Sequence, residues 1–542
     1  MSIARASLWM ASGTVVSRIL GLVRTVLLAG AIGITNNEAD AFGVANQLPN
    51  NVYAIIVGGL LNAVLVPQIV RARVRKDGGK GYIDGLLSVI VTVFALITIL
   101  ATVAAPLLVR LYTNGWDKDT LALATAFAYW CLPQLFFYGL YSILGEVLNA
   151  RSSFGPFMWA PVLNNLVAIA GLLYFDVTYG PVGAQHIWNA QAVTVLAGSA
   201  TLGVAAQALI LFFFWKRIGL SFTFSFKWKG LGLRPALKAA SWTLAMLVIT
   251  QIGGLIQTNL TSSTLSARTA TSGFAMPGIA SVAVAGTAWL IFMIPHSVGT
   301  VSIATAYFTR MSEHAHGKRW DELKTDVTQA IRSILALSAV ATATMIVLAM
   351  PIGSVFSQNY RPAIALGTVL VAMMIGLIPF SINFMLQRVF YALEDTKSPF
   401  IFTTIQIAVF VVGSIICANT VPAISLVASI SLVMSLSFAV QALIAYRILI
   451  GRIGKLSDGH LVRYGLQVSV AALFAGIVGA LVLWLIGGIA EGSYPMAGAT
   501  HALLSCLLVG GATSAVYVAI LAIVGNAEIR GALSAVRGIL RR

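Results

Sequence analysis

Charge is scarce in this chain, and carboxylates are scarcer than cations. Only 9% of its 542 residues are charged, 17 Asp and Glu against 34 Lys and Arg. Soluble domains carry about a quarter charged residues, so a string of soluble domains is excluded. No polar stretch is long enough to fold separately, which excludes an appended soluble catalytic domain. Cysteine occurs three times (Cys131, Cys417, Cys506), each alone in apolar surroundings. Neither a disulfide framework nor a thiolate metal cluster is indicated. P-loops, His-Glu-x-x-His pairs, acyl-transfer triads and paired acidic motifs at a membrane face are all missing, so the chain reads as no enzyme, and no cofactor or metal is expected. The six histidines are scattered, and His314 and His316 read as loop residues rather than a metal pair.

What fills the chain instead is apolar: 58% of residues, with a mean hydropathy of +0.91. Stretches close to the ~20 residues of a membrane crossing recur from end to end. Apolar length, Gly/Pro punctuation and charged flanks predict spans at 7–33, 41–68, 83–112, 120–149, 157–176, 190–215, 236–264, 277–308, 326–350, 361–392, 398–418, 424–449, 464–489 and 498–525. The fold class is therefore an all-α polytopic membrane protein of about fourteen helices. Arg5, an apolar run and Ala29-Gly30-Ala31 imitate a signal peptide, but Arg18 and Arg24 interrupt the run, and the segment reads as the first helix.

The net charge of +17 does not mark a nucleic-acid partner, because its cations fall in alternate short loops. With a cytosolic N-terminus, the inside segments hold Arg71, Arg73, Arg75, Lys76, Lys80, Arg151, Lys216, Arg217, Lys227, Lys229, Arg310, Lys318, Arg319, Lys324, Lys397, Arg447, Arg452 and Arg463, among others. The outside segments hold Arg110, Lys118, Arg268 and Arg361. An even number of spans then places both termini in the cytosol.

An internal repeat is legible. LPQLFFYGLYSILGEVLNARSSFGPF around Pro133 is matched by IPFSINFMLQRVFYALEDTKSPF around Pro379, with Pro156 and Pro399 at an offset of 243. Helices 1 and 7 both open on Ala-Ser, at Ala11 and Ala240. Shared membrane-helix composition is the alternative account. The economical reading is two six-helix lobes, 1–216 and 217–450, in a parallel pseudo-two-fold repeat, followed by helices 13 and 14 and a cytosolic tail in 451–542.

Charges inside spans are expensive and usually face a bundle interior or an aqueous cavity. Arg18 and Arg24 lie in helix 1, separated by about 240° of rotation, with Gly21 midway in the sector between them. Two guanidinium forks around a bare floor suit an anionic ligand such as phosphate. Snorkelling or a carboxylate partner is the alternative for each. Asp40, at the start of helix 2, is either functional or an N-cap. Superposing Ala150 on Ala392 sets Glu146 against Arg388, a potential gate near the cytosolic ends of two related helices; local pairing of Glu146 with Arg151, and of Arg388 with lipid phosphates, is the competing account.

The segment from Ser17 to Pro67, SRILGLVRTVLLAG…EADAFGVANQLPNN…LVPQ, resembles the N-terminal signature of the MurJ (MviN) lipid II flippases of the multidrug/oligosaccharidyl-lipid/polysaccharide exporter superfamily. Arg388-Val-Phe-Tyr-Ala-Leu-Glu-Asp395-Thr-Lys-Ser-Pro399 is similar to that family's turn after helix 10. The resemblance implies a bacterial plasma-membrane flippase that carries undecaprenyl-pyrophosphate-linked peptidoglycan precursor outward by alternating access. It implies substrate-binding roles for Ser17, Arg18, Gly21 and Arg24, a gating or structural role for Asp395, and a groove on helices 13 and 14 for the isoprenoid tail. Its partners would be lipid II, membrane lipids and cell-wall synthesis proteins, with an ion or the membrane potential as drive. Asn51 stands where the family commonly has an arginine, and Trp289-Leu290-Ile291 where another precedes the helix 8 proline; Gln257 replaces an acidic residue of helix 7. The rival readings are a flippase for another polyprenyl-linked saccharide, a transport-deficient scaffold and, less well matched to a basic cavity, a multidrug antiporter.

Overall fold

The computed structural model describes residues 3–56, 80–151, 153–181, 188–217, 222–225, 241–270, 278–456 and 460–526. Among these every regular element is helical. The helices are α1 (Ile3–Ile32), α2 (Asn37–Ile56), α3 (Lys80–Val103, continued by Ala105–Tyr112), α4 (Lys118–Cys131 and Gln134–Ala150) and α5 (Phe154–Tyr179). α6 runs Ala190–Val193, a π turn Thr194–Gly198, then Ser199–Arg217, and α7 is Ser241–Ser262, continued by Thr264–Ala270. α8 runs Val282–Pro295, a π turn His296–Thr300, then Val301–His316; α9 is Trp320–Val347 and Ala349–Phe356; α10 is Tyr360–Met374 and Leu377–Ala392. α11 (Lys397–Thr420), α12 (Ala423–Ile453), α13 (His460–Leu485) and α14 (Ala499–Ile523) complete the chain.

Twelve of these helices are long and apolar enough to cross a membrane, or thirteen when the bent pair of α10 counts as one span. α2 answers to the fourteenth expected span; the rest of that span, 57–68, lies outside the described residues. Large side chains that water would reject stand exposed along the helices: Val103 at 74%, Leu507 at 74% and Ile523 at 84%. A lipid-facing surface accounts for them, since hydrocarbon accepts such side chains and helices satisfy their backbone internally.

Two compact units result, Met1–Ser266 and Ala267–Arg542. α7 belongs to the first because its end is tied to the turn after α3. Ser262 Oγ accepts from Asn114 N (2.9 Å), the Trp116 indole donates to Ser262 O (3.0 Å), and Ser266 Oγ donates to Gly115 O (2.6 Å).

The repeat is visible in the backbone. α4 breaks at Leu132–Pro133 and α10 at Ile375–Gly376, and the next helices start at Phe154 and Lys397. Both landmarks carry the offset of 243 seen between Pro156 and Pro399. The proline of α10 acts four residues upstream of itself: Pro379 gives Ile375 O no N–H and crowds it, so the helix turns there by 46°.

Asp395 shows how the turn between α10 and α11 is held. The carboxylate is buried, and its Oδ1 accepts from Lys397 N and Ser398 N (3.0 Å each), capping α11. Oδ2 lies 2.9 Å from Arg452 Nη2 at the end of α12. Burial pushes this carboxyl up, but the Ser398 and Lys397 bonds and the Arg452 guanidinium outweigh it and hold the group below the usual carboxylate range. A lowered native value stabilises the fold at pH above the unfolded value of about 3.9 and is lost as pH falls through the native value. Asp395→Ala is expected to lower stability by roughly 0.5–2 kcal/mol at neutral pH and to flatten the acid limb of the thermal-midpoint curve. An unchanged acid limb in the variant would assign that limb to other groups.

Candidate functional site

Small residues bring α1 against α5. Gly13, Ser17 and Gly21 recur every four residues, a spacing that lets membrane helices approach closely. A Cβ at Gly13 would lie 2.8 Å from Trp159 Cδ1 and 3.1 Å from Met158 O. Asn165 of α5 donates to Ser17 O (2.8 Å) and Ser17 Oγ (3.3 Å). Gly21 faces the same asparagine, 3.9 Å from its Nδ2 to an added Cβ. The sector between the two arginines is thus where α5 packs, with Ser17 and Gly21 at the seam. We expect Gly13→Val to cost on the order of 1–3 kcal/mol through overpacking, while Gly21→Ala is accommodated. Thermal unfolding of both variants checks this; a destabilised Gly21→Ala would overturn the assigned contact.

Arg24 and Arg18 part company at this seam. Arg18 is exposed, beside Val15 (54%) and Ile19 (56%). Arg24 turns into the first unit, where it lines a crevice with Leu28 of α1, Phe42 of α2, Ala168 and Leu172 of α5, and Leu196, Ser199 and Ala200 of α6. It makes no hydrogen bond or ion pair with any described residue; its electrostatic neighbours are the Tyr138 hydroxyl and the Cys131 thiol of α4. A guanidinium carries five donors. Among the other crevice residues only Ser199 carries a polar side chain, and its hydroxyl donates to Leu196 O (3.1 Å), so the crevice itself offers these donors little to bond.

The remaining candidates are not among the residues that line this crevice. Asp40 is not an N-cap: α2 begins three residues earlier, and the carboxylate is wholly buried in the first turn, where the helix dipole favours a negative charge. Glu146 is half-buried on α4 within electrostatic reach of Tyr53, which bonds Ser142. Arg388 lies in the second unit over the rings of Phe384 (5.0 Å) and Phe308 (5.6 Å), a cation–π seat. Asp395 is the structural cap described above.

The two positions lacking an expected arginine have other work. Asn51 donates to the Tyr112 hydroxyl (3.2 Å), and Trp289 stacks on Phe292 (5.2 Å) and meets Phe380 edge-on (5.9 Å). His314 and His316 lie in the last turn of α8 rather than in a loop, and His314 turns to carboxylates: its ring nitrogens lie 2.9 Å from Asp326 and 3.1 Å from Glu322, and Asp326 also takes Arg310 at 2.7 Å. Among the described residues no group of three or more His, Cys, Asp or Glu is placed to hold a metal.

Sequence reasoning passed over the polar network beside the crevice. Gln134, buried at the restart of α4, donates to Asn46 Oδ1 (3.3 Å) and Thr201 Oγ1 (3.0 Å) and accepts from Tyr138 (3.1 Å). A glutamine directly after a mid-span proline was the available signal. Asp84, buried on α3 and bonded by Thr223 (2.6 Å), was passed over as well.

Known proteins share this architecture. The family model described as lipid II flippase MurJ matches residues 28–500. A probable lipid II flippase MurJ of Rhizobium meliloti (strain 1021) is 26% identical over 561 residues, covering 98% of this chain and 95% of that protein. One from Rhizobium tropici is 27% identical over 421 residues, covering 76% and 74%. Among solved structures, a lipid II flippase MurJ in an inward closed conformation superposes with a TM-score of 0.71 at 19% identity, over 95% of this chain and 99% of that one. An outward-facing multidrug-resistance MATE family transporter gives 0.58 at 16% identity, over 84% and 96%; at such identities both speak for the fold. The family match includes Asp40, Glu146, Arg388 and Asp395 and begins four residues after Arg24. Matched over most of its length, this chain belongs to the MurJ lipid II flippase family.

Proposed function

We propose that this multi-pass membrane protein is a lipid II flippase, carrying the polyprenyl-pyrophosphate-linked peptidoglycan precursor from the cytosolic to the outer leaflet of a bacterial plasma membrane by alternating access of two six-helix lobes. The observation that carries the reading is Arg24: a guanidinium in mid-span, in an apolar crevice, with no hydrogen-bonding or ionic partner among the described residues. Such a charge is costly to retain unless an anion completes it, and a pyrophosphate offers the oxygens that a guanidinium fork grips. Arg18, on another face of α1, meets the same substrate from its exposed side. Both termini are cytosolic, in keeping with the cations of alternate loops.

A flippase for another lipid-linked saccharide would need the same pyrophosphate contact, so the experiment must read the cargo. Cells depleted of their own lipid II flippase should resume peptidoglycan synthesis and outward movement of lipid II when this chain is expressed. Failure to restore either, with the protein present in the membrane, overturns the reading. Restoration of a surface polysaccharide in its place would reassign the cargo.

A further inference from the structure

Both units contain a broken helix, and both breaks are clasped by a hydroxyl from another helix. In α4, Pro133 has no N–H; the helix resumes with Leu135 N donating to Leu132 O (3.0 Å) and Phe136 N to Pro133 O (3.2 Å). These are i→i+3 bonds, and Trp130 O is left without its ordinary backbone donor. Thr201 Oγ1 of α6 donates to it at 2.6 Å. In α10, Gly376 N turns from Ala372 O to Met373 O (2.9 Å). Ser435 Oγ of α12 then donates to Ala372 O at 2.7 Å and reaches Met373 O at 3.2 Å.

The repeat makes these one device present twice. The offset of 243 that superposes the breaks sets Trp130 on Met373, the second of Ser435's two acceptors, one residue beyond Ala372; the donors Thr201 and Ser435 lie 234 apart, on α6 and α12, the equivalent helices of the two halves. Helical Ser and Thr hydroxyls commonly turn back onto their own i−4 carbonyl. Thr194 of α6 does so to Ala190 O (2.7 Å), and Ser431 of α12 to Val427 O (2.8 Å). Thr201 and Ser435 reach across to a neighbour instead. Close approach is built in at α12, since a Cβ on Gly376 would lie 2.7 Å from Ser435 Oγ and 2.9 Å from its Cα. The first clasp is reinforced, because Thr201 Oγ1 also accepts from Gln134 Nε2 (3.0 Å), which holds Asn46.

We propose that Thr201 and Ser435 are positioning residues for the transport cycle, matched clasps that fix the bends of α4 and α10 by occupying the carbonyls the breaks release. A carbonyl in hydrocarbon without a donor is costly, so each break has two economical states: clasped and bent, or rejoined toward a continuous helix. The hydroxyl sets the balance between them. The part played in transport rests on the flippase reading; the clasping itself does not.

The test uses the full-length protein in lipid nanodiscs, as wild type, Thr201→Val, Thr201→Ser and Ser435→Ala. Amide hydrogen exchange is followed by mass spectrometry in peptides covering 129–136 and 372–379 until the wild type exchanges. Loss of one hydrogen bond should speed exchange roughly three- to tenfold at the matching break only: α4 for Thr201→Val, α10 for Ser435→Ala. Thr201→Ser should exchange as wild type does. Unchanged exchange at both breaks overturns the clasps, and so does acceleration spread evenly over all helices, which reports a loosened fold. In flippase-depleted cells each clasp-free variant should translocate lipid II several-fold more slowly at equal membrane abundance, with Thr201→Ser restoring the rate. Undiminished transport alongside accelerated local exchange overturns the positioning role alone. A wild type that moves no lipid II overturns the flippase reading and leaves the exchange result to decide the clasps.

Discussion

Arg24→Ala should abolish rescue of flippase-depleted cells while the protein still reaches the membrane in near-normal amount. The two halves of that expectation have separate physical grounds. Arg24 makes no ion pair or hydrogen bond with described residues, so removing it strands no charged or hydrogen-bonded partner among them. It also takes a charge out of an apolar crevice, which relieves the fold. A structural arginine would behave in the opposite way, since truncating one partner of a buried pair strands the other. Losing a charge-assisted, bidentate grip on phosphate removes roughly 1.5–3 kcal/mol per bond in binding, enough for a fall of at least tenfold. Arg24→Lys should recover part of the activity, because an ammonium keeps the charge and loses the fork. Arg24→Ala with full transport would remove the guanidinium from the substrate path. Rescue assays should be paired with quantitation of the membrane-embedded protein, because the prediction is a split between function and abundance.

The spans were legible because hydrocarbon imposes one requirement on every helix, and that requirement is written in apolar length. The expected 157–176 and 398–418 became Phe154–Tyr179 and Lys397–Thr420, each extended at its ends, where interfacial residues continue a helix without being apolar. The offset read from Pro156 and Pro399 reappears in both helix breaks and both restarts. What was hidden depends on neighbours. The rotation between Arg18 and Arg24 followed from helix geometry, but which face α5 would cover did not. Gly13, Ser17 and Gly21 carried that information in their spacing. Pro379 marked a break, yet the break falls four residues before it, at the carbonyl the ring displaces. Thr201 and Ser435 are ordinary helical hydroxyls in sequence, and only the released carbonyls of α4 and α10 give them a distinct task.

Direction of transport depends on which side each loop faces, and labelling with a membrane-impermeant thiol reagent reads this as an all-or-none difference. Three crossings separate Asn114 from the N-terminus and eight separate Lys318, so the two must lie on opposite sides if the count of spans holds. Asn114 is exposed in the turn after α3, and among the described residues its one hydrogen bond is from its backbone N–H to Ser262 Oγ, so a cysteine there leaves the turn intact. Lys318 is exposed between α8 and α9 with φ of 53°, where Asn is the other tolerable choice and a cysteine is strained but solvent-facing. The native thiols compete little, since Cys131 is buried and Cys417 and Cys506 are half-buried within spans. In intact cells Asn114→Cys should label and Lys318→Cys should not; permeabilised cells should label both. Asp77→Cys, which lies outside the described residues, should follow Lys318. The expectation comes from the cations of alternate loops, because moving them across the bilayer is what insertion avoids. The reverse pattern would place both termini outside and turn the proposed direction of lipid II movement around. Labelling of both sites in intact cells would mean that an odd number of the five helices between them fails to cross.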